Sequence, residues 1–347
     1  MKISRIINKT AVVGVVAGLA LTFSSKVMAE EVNGLKISGF VDTSLYESQY
    51  GDSSFGLDQV EIDIEKKIDG SLSLRADINY MTAMKDYSTA AGPEVEIQQF
   101  DDLVEQAYVT YNTKGIDLTF GKFNAPIGFE LLDPVDMYQY SHALVFDYGL
   151  PTNLTGAMGS YEFNDMADIS LYVVNGWDNN YDNNNSRTVG GRLGLTPFKG
   201  LNIGLSTISG KEGPTDDKLT VVDMDLTLKM VDKLTIGAEY NSGKDEGGAA
   251  AGEDAEWSGF MVMANYAATN DLSLTLRYDS FDDEDGTRFN SGMIEKRTAY
   301  TVAALYSLGE GAGFLLEYRT DESDEKVFDS GAEDSEASYA AEFTFSF

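Results

Sequence analysis

The 347-residue chain has no cysteine, one histidine, two tryptophans and six prolines. Without thiols there is no disulfide framework and no thiolate metal site, which suits a protein that passes through an oxidising compartment. With His142 as the lone imidazole, no zinc spacing or haem-attachment motif occurs, and no phosphate-cradling glycine loop is present either. Cations are scarce too: 25 Lys and Arg stand against 57 Asp and Glu, a net charge of −32. That balance excludes nucleic acid as a natural partner and excludes adhesion to anionic lipid through a basic surface. Beyond the first 23 residues, no apolar run is long enough to cross a bilayer as a helix.

What is present begins with Lys2, Arg5 and Lys9 ahead of an apolar run from Ala11 to Phe23, followed by Val27, Met28 and Ala29. This is the pattern of a secretory signal peptide over residues 1–29, with small residues before the cut. The run is too short for a membrane anchor. Removing it takes away four of the 25 basic residues and none of the 57 acidic ones, leaving 21 against 57 and a net charge of −36 on 318 residues. Disorder is a poor account of that charge, given 19 Tyr, 18 Phe and regular β-branched segments. An exported chain that enters a membrane without helices can satisfy its backbone groups only by closing a barrel.

The periodicity supports that architecture. Sixteen amphipathic segments alternate with period two, among them Leu35–Tyr46, Val60–Ile68, Leu72–Met81, Ile116–Phe123, Leu272–Ser280 and Ser338–Phe347. Leu72, Leu74, Ala76, Ile78 and Tyr80 are expected to face lipid, with Ser73, Arg75, Asp77 and Asn79 facing a lumen. The last segment sets Tyr339, Ala341, Phe343, Phe345 and Phe347 against Ala340, Glu342, Thr344 and Ser346. Its aromatic end at Phe343, Phe345 and Phe347 is expected to serve as the signal read by a barrel assembly machinery. Tyrosines at the ends of apolar runs, such as Tyr80, Tyr111, Tyr266 and Tyr306, fit an interfacial girdle. Connections alternate between short turns, as at Asp69-Gly70 and Asn112–Gly115, and long polar links at 47–56, 82–102, 124–153, 177–186, 210–218, 242–256, 281–296 and 321–336. The expected fold is all-β: a transmembrane antiparallel β-barrel of about 16 strands with short periplasmic turns and long extracellular loops. A soluble β-sandwich also alternates along its strands but does not sort its loop lengths this way.

The link 124–153 differs from the others in carrying Phe129, Leu131, Leu132, Val135, Met137, Tyr138, Tyr140, Leu144, Val145, Phe146 and Tyr148. So much apolar surface must fold against something, and the inner wall is the natural partner. Packing over the barrel mouth or latching onto a neighbouring subunit would satisfy the same composition. The run Gly121-Lys122-Phe123-Asn124-Ala125-Pro126-Ile127-Gly128-Phe129-Glu130, with Tyr140-Ser141 and the strand at Thr155-Gly156-Ala157, resembles the putative beta-barrel porin-2, OmpL-like family of outer-membrane porins. The resemblance implies a sixteen-stranded pore. The position of the link after the fifth strand is similar to that of the constriction loop of general diffusion porins. Those porins oppose an acidic loop with a cluster of wall arginines, and no such cluster is evident in this sequence.

Between Lys122 and Arg187 there is no Lys or Arg, while Glu130, Asp133, Asp136 and Asp147 fall in the link. These four are the candidate constriction and selectivity residues, and a constriction ringed by them would attract cations. Candidate pore-lining residues are Arg75, Asp77, Arg192, Asp225, Lys229, Glu239, Arg277, Asp279, Glu317 and Arg319, as ion pairs across the lumen or as structural partners within the wall. Ser141 and His142 are adjacent, which seldom lets a serine reach the imidazole, so a hydrolase is not expected. The run Phe281-Asp282-Asp283-Glu284-Asp285-Gly286 lacks the ligand order of an EF-hand and reads as a solvated outer loop, with divalent ions shared with lipopolysaccharide as the alternative. No catalytic residue, cofactor or protein-held metal is expected. The expected protein is a passive pore in the outer membrane of a Gram-negative bacterium, exported through the periplasm. Its partners would be lipid, lipopolysaccharide, small hydrophilic solutes and cations, and other copies of itself. A substrate-specific channel and a non-conducting surface receptor or adhesin are the rival readings.

Overall fold

A computed structural model describes residues 31–81, 103–212, 217–231, 233–289 and 293–347. The segment read as a signal peptide, 1–29, and the link 82–102 lie outside the described residues. After a two-residue strand at Glu31–Val32, sixteen strands follow. They are β1 Leu35–Ser48, β2 Ser54–Lys67, β3 Leu72–Met81, β4 Val104–Thr113, β5 Ile116–Asn124, β6 Asn153–Asn164, β7 Ala167–Val174 and β8 Thr188–Phe198. Then come β9 Leu201–Lys211, β10 Lys218–Val231, β11 Leu234–Asp245, β12 Ala255–Ala267, β13 Leu272–Asp283, β14 Glu295–Gly309, β15 Ala312–Ser323 and β16 Ser335–Ser346. Each runs antiparallel to the next, and β16 pairs with β1, so the sheet is a closed barrel. Closure removes both sheet edges, which is what a lipid environment requires.

Each expected segment became one strand. The largest difference is at β2, which begins at Ser54 rather than near Val60 and shortens the first long link to 49–53. A register shift opposite Asp42 and Thr43 allows this, because the bulge lets the polar stretch ahead of Val60 keep pairing with β1. The short turns carry matched chemistry. At the β4–β5 hairpin Lys114 and Gly115 both have positive φ, 54° and 80°, as a type I′ turn requires. In the β2–β3 turn, Asp69 accepts the N–H groups of Ser71 and Leu72 at 2.7 and 2.9 Å. Those donors hold its carboxyl below the usual aspartate range.

The alternation of faces follows the pleat. On β13, Leu274 and Leu276 are 45% and 60% exposed, whereas Thr275, Arg277 and Asp279 between and beyond them are buried. Tyr80, Tyr111, Tyr266 and Tyr306 are exposed on the outer face, in keeping with the girdle position. One stretch breaks the rule: β12 turns Trp257, Met261 and Met263 inward while Phe260 and Val262 face out, so both faces are apolar there. The inward set joins Phe281 and Val221 in the buried cluster that receives Ala143, Leu144, Val145 and Leu150 of the segment between β5 and β6.

The seam between first and last strands depends on the chain end. Gly39 N–H donates to the Phe347 carbonyl at 3.1 Å, and Phe347 N–H donates back at 2.9 Å. A Cβ on Gly39 would stand 2.2 Å from the Glu61 carbonyl oxygen of β2 and 3.0 Å from the Phe347 ring. Gly39→Val should therefore cost about 1–3 kcal/mol through forced strand separation. The check is the fraction of protein that migrates as the compact, heat-modifiable form on electrophoresis after refolding; a wild-type fraction would refute the account.

Candidate functional site

The segment 125–152 crosses the bore. It leaves β5 with Phe129 N–H donating to Glu239 Oε2 on β11 at 2.7 Å. It then reaches the other side, where the 3-10 turn Pro134–Asp136 packs on β16 and β1 and the Tyr140 hydroxyl approaches Ser44 of β1 at 3.3 Å and Asp58 of β2 at 3.4 Å. Around a sixteen-strand ring, β11 and β2 stand on opposite sides. The chain next turns to β13 and β15 and forms helix α1, Leu144–Gly149, against β11 to β14. It leaves through Thr152 and Asn153, whose N–H groups both donate to Asp178 Oδ1 at 2.8 Å.

Two arginines fasten the middle of this path. Arg277 of β13 and Arg319 of β15 share a row, each registered with Thr301 of β14. Arg277 donates to Glu130 Oε1 at 2.9 Å, to the Ser141 carbonyl at 2.5 Å, to the His142 carbonyl at 2.9 Å and to Asp279 at 3.1 Å. Arg319 donates to the same His142 carbonyl at 2.6 Å and to Asp321 at 2.7 Å. A wall arginine cluster therefore exists, contrary to the sequence reading. It escaped notice because its members are 42 positions apart in the chain and meet only through strand register. The planar fork of guanidinium suits this work, since it can satisfy several carbonyl and carboxylate oxygens at once.

The other expected lining residues sort by partner. Arg75 pairs with Asp77 at 2.8 Å and lies 3.7 Å from Asp63. Arg192 forms a two-bond pair with Asp225. Asp279 accepts Leu144 N–H at 3.1 Å as well as Arg277. Glu317 was expected as an arginine partner but instead accepts the N–H groups of Tyr140 and Ser141, at 2.7 and 3.2 Å, and Arg319 takes Asp321. Lys229 is exposed at the short-turn end of β10. Phe343 and Phe345 lie on β16 with Phe347 beyond them at the seam.

The four acidic loop candidates differ in their access to solvent. Asp136 and Asp147 are exposed, Asp133 is half-buried, and Glu130 is only 5% exposed. Glu130 is also fully engaged, accepting from Arg277 and Gln139 through Oε1 and from Ala143 N–H through Oε2 at 2.7 Å. It fastens the loop instead of facing the water path. The sequence reading does not single out Glu105, Gln139, Asn241 and Asp321, which line or hold the inner surface. The inward direction of Asn241 and Asp321 follows from strand parity; Glu105 is turned inward by a β-bulge opposite Asp77 and Ile78, and Gln139 sits on the crossing segment, where no parity applies.

Ser141 and His142 are occupied separately. Ser141 Oγ takes a bond from Arg277 at 3.1 Å, while His142 Nε2 meets the Leu131 carbonyl at 2.8 Å and its ring stacks on Phe146 at 4.1 Å. The acidic run is not wholly a solvated loop, because Phe281, Asp282 and Asp283 fall on the end of β13 and Phe281 and Asp283 are buried. Asp283 accepts three backbone N–H groups from Thr287, Arg288 and Phe289, Asp282 lies 3.5 Å from Lys296, and Asp285 accepts Glu256 N–H at 2.8 Å. Arg288 in turn donates to the Tyr148 carbonyl at 2.7 Å and lies 4.5 Å over the Trp257 ring, closing that side of the bore.

The sequence matches, over residues 34–347, the family described as putative beta-barrel porin-2, OmpL-like. Among curated proteins, none matches it. Solved structures share the architecture at low identity. The outer membrane channel DcaP of Acinetobacter baumannii is 13% identical with a TM-score of 0.65, covering 94% of this chain and 99% of that one. The anion-selective porin from Comamonas acidovorans is 12% identical with a TM-score of 0.62, covering 90% and 99%. The trimer form of OmpT, an outer membrane protein of Vibrio cholerae, is 14% identical with a TM-score of 0.64, again covering 90% and 99%. At such identities the likeness establishes the fold.

Arg277 gives the sharpest test of how the loop is held. Arg277→Met would leave Glu130 and Asp279 as buried carboxylates without their guanidinium, at a cost of about 3–5 kcal/mol. Urea unfolding of the barrel in lipid bilayers reads that loss, and Glu130→Gln added to Arg277→Met should restore part of it. Additive losses would show that the two side chains do not act as a pair.

Proposed function

The chain belongs to the putative beta-barrel porin-2, OmpL-like family, and from that premise we propose a passive outer-membrane pore for small hydrophilic solutes and ions with a preference for cations. The observation that supports this reading is the loop crossing from Glu239 on β11 to Ser44 and Asp58 on β1 and β2, which narrows the bore to the space beside it. The loop's own carboxylate at Asp136 is exposed there, and Asp147, open to the same space, lies within electrostatic reach of His142, Arg319 and Arg277. Meanwhile Arg277 and Arg319 are consumed by loop carbonyls and by Glu130, Asp279 and Asp321. Loop carboxylates in water against wall cations already paired give the narrow zone a negative potential. Screening over roughly 8 Å at physiological salt confines the effect to that zone.

In this reading the loop sets the size limit and no bond is made or broken in transport. Assembly into a homo-oligomer is part of the proposal, since OmpT, which shares the fold, is described in a trimer form. Residues 1–29 would direct export, and the seam at Phe347 would be completed by the assembly machinery.

Reconstitution in planar bilayers under a KCl gradient tests the proposal. The reversal potential should have the sign of cation preference. Each carboxylate within about 4 Å of the ion path is worth about 1 kcal/mol in a water-like dielectric, so Asp136→Asn with Asp147→Asn should lower the potassium-to-chloride permeability ratio about fivefold or more. Anion preference in the wild type, or an unchanged ratio in the double variant, would overturn the charge argument. Silent bilayers would favour a receptor, and saturable flux blocked by one solute would favour a specific channel.

A further inference from the structure

A second charged cluster lies on the inner wall across the bore from β11, and the mechanism above does not use it. Glu61 of β2, Glu105 of β4 and Asp133 of the crossing loop each bring one carboxylate oxygen to a point where all three lie within 4.8 Å of one another. Glu61 also belongs to a set with Asp63 and Asp77 meeting the same limit. Two oxygens on opposite sides of a calcium ion are separated by roughly 4.6 to 5.2 Å, twice the usual ligand distance, so this spread is what one ion can collect.

An acidic cluster alone would mean little, but Glu61 adds an independent observation. Its side chain is among the most buried in the barrel, 1% exposed, and among the described residues no N–H or hydroxyl donates to either of its oxygens, which face only the carboxyl groups of Glu105, Asp133 and Asp63. It points into the cluster. Oδ1 of Asp133 is buried and unpartnered in the same way. Buried carboxylates without partners are costly unless something neutralises them. The surrounding groups are already arranged: Asn79, registered with Glu61, donates to Glu105 Oε2 at 2.7 Å, and Asn124 donates to Glu105 Oε1 at 3.0 Å. Arg75 is turned toward Asp77 and Asp63, which leaves the Glu61, Glu105 and Asp133 trio as the part without a guanidinium.

We propose that Glu61, Glu105 and Asp133 form a binding site for a hard divalent cation, calcium by preference, that ties the crossing loop to the wall opposite Arg277. The donors are all carboxylate oxygens with no imidazole or thiolate, which favours calcium over zinc or copper. Three carboxylates against two positive charges leave one net negative charge, which the neighbouring amides of Asn79 and Asn124 can accommodate. The ion would do on the β2–β4 side what Arg277 and Arg319 do on the β13–β15 side. The loop is thus held at both ends of its span. The site rests on side-chain placement and goes beyond the pore reading, so binding is measurable whether or not the barrel conducts.

Calorimetric titration of the purified, chelator-treated barrel in detergent with calcium chloride tests it. One saturable site per chain is expected, with affinity lowered tenfold or more by Glu61→Gln and by Asp133→Asn, and unchanged by Asp282→Asn with Asp285→Asn at the end of β13 and the outer loop that follows it. Chelation should also lower the unfolding temperature of the wild type, a readout that stands even if Glu61→Gln fails to fold. No saturable heat together with an unmoved unfolding temperature would overturn the proposal and leave shared protons as the neutralising agent. Full binding in Glu61→Gln and Asp133→Asn, or binding lost in the outer-loop variant instead, would overturn it equally.

Discussion

Every feature of this barrel depends on one constraint: in a hydrocarbon medium no backbone N–H or carbonyl can be left open, so the sheet must return to its own first strand. The return is made between Gly39 and Phe347, where two backbone bonds join the start of β1 to the last residue of the chain. Once the ring is closed, strand parity alone decides which side chains meet lipid and which meet the interior. Arg277 and Arg319 become neighbours of Thr301 for no reason other than register; Glu61 and Asn79 meet in the same way, and a bulge on the next strand turns Glu105 in to join them.

The interior created by closure is too wide to be filled by wall side chains, and the segment 125–152 uses that space. It is held by two different kinds of force on its two sides. Toward β11 to β13 the contact is mainly apolar, with Leu144 and Val145 among Met261, Met263 and Phe281, beside the bonds that Glu239 and Asn241 make to Phe129 and Val145. Toward β13 and β15 it is ionic, with guanidinium groups bonded to loop carbonyls and to Glu130. Apolar burial gives such a loop stability without direction, and the arginine forks give it a fixed path.

Much of this was legible in the sequence. All sixteen strands, the sorting of turns and links, the outward tyrosines and the unusual composition of the link after β5 follow from period-two alternation and from counting apolar residues. The arrangement inside the ring was harder to read. Glu130 looked like Asp136 and Asp147 as a loop carboxylate in a region without cations, yet it is buried against an arginine 147 positions later. No local pattern records such a pair. A usable signal did exist in β12, where Phe260 to Ala264 is apolar at every position. In a barrel with a wet interior, a strand that stops alternating marks where something apolar docks from inside, and that is where α1 sits.

The cation preference proposed for this chain cannot come from the barrel architecture alone. In the proposed reading it is set by which inner charges remain unpaired after the loop is seated. On the β13–β15 side the loop takes up the positive charge of Arg277 and Arg319. On the other side Arg75 is taken up by Asp77 and Asp63. Arg192 is likewise held by Asp225. Carboxylates outnumber guanidinium and ammonium groups by more than two to one in this chain, so pairing exhausts the cations first. On that reading an acidic composition that looks like a global property acts locally, through the few carboxylates left over once each wall arginine has found its partner.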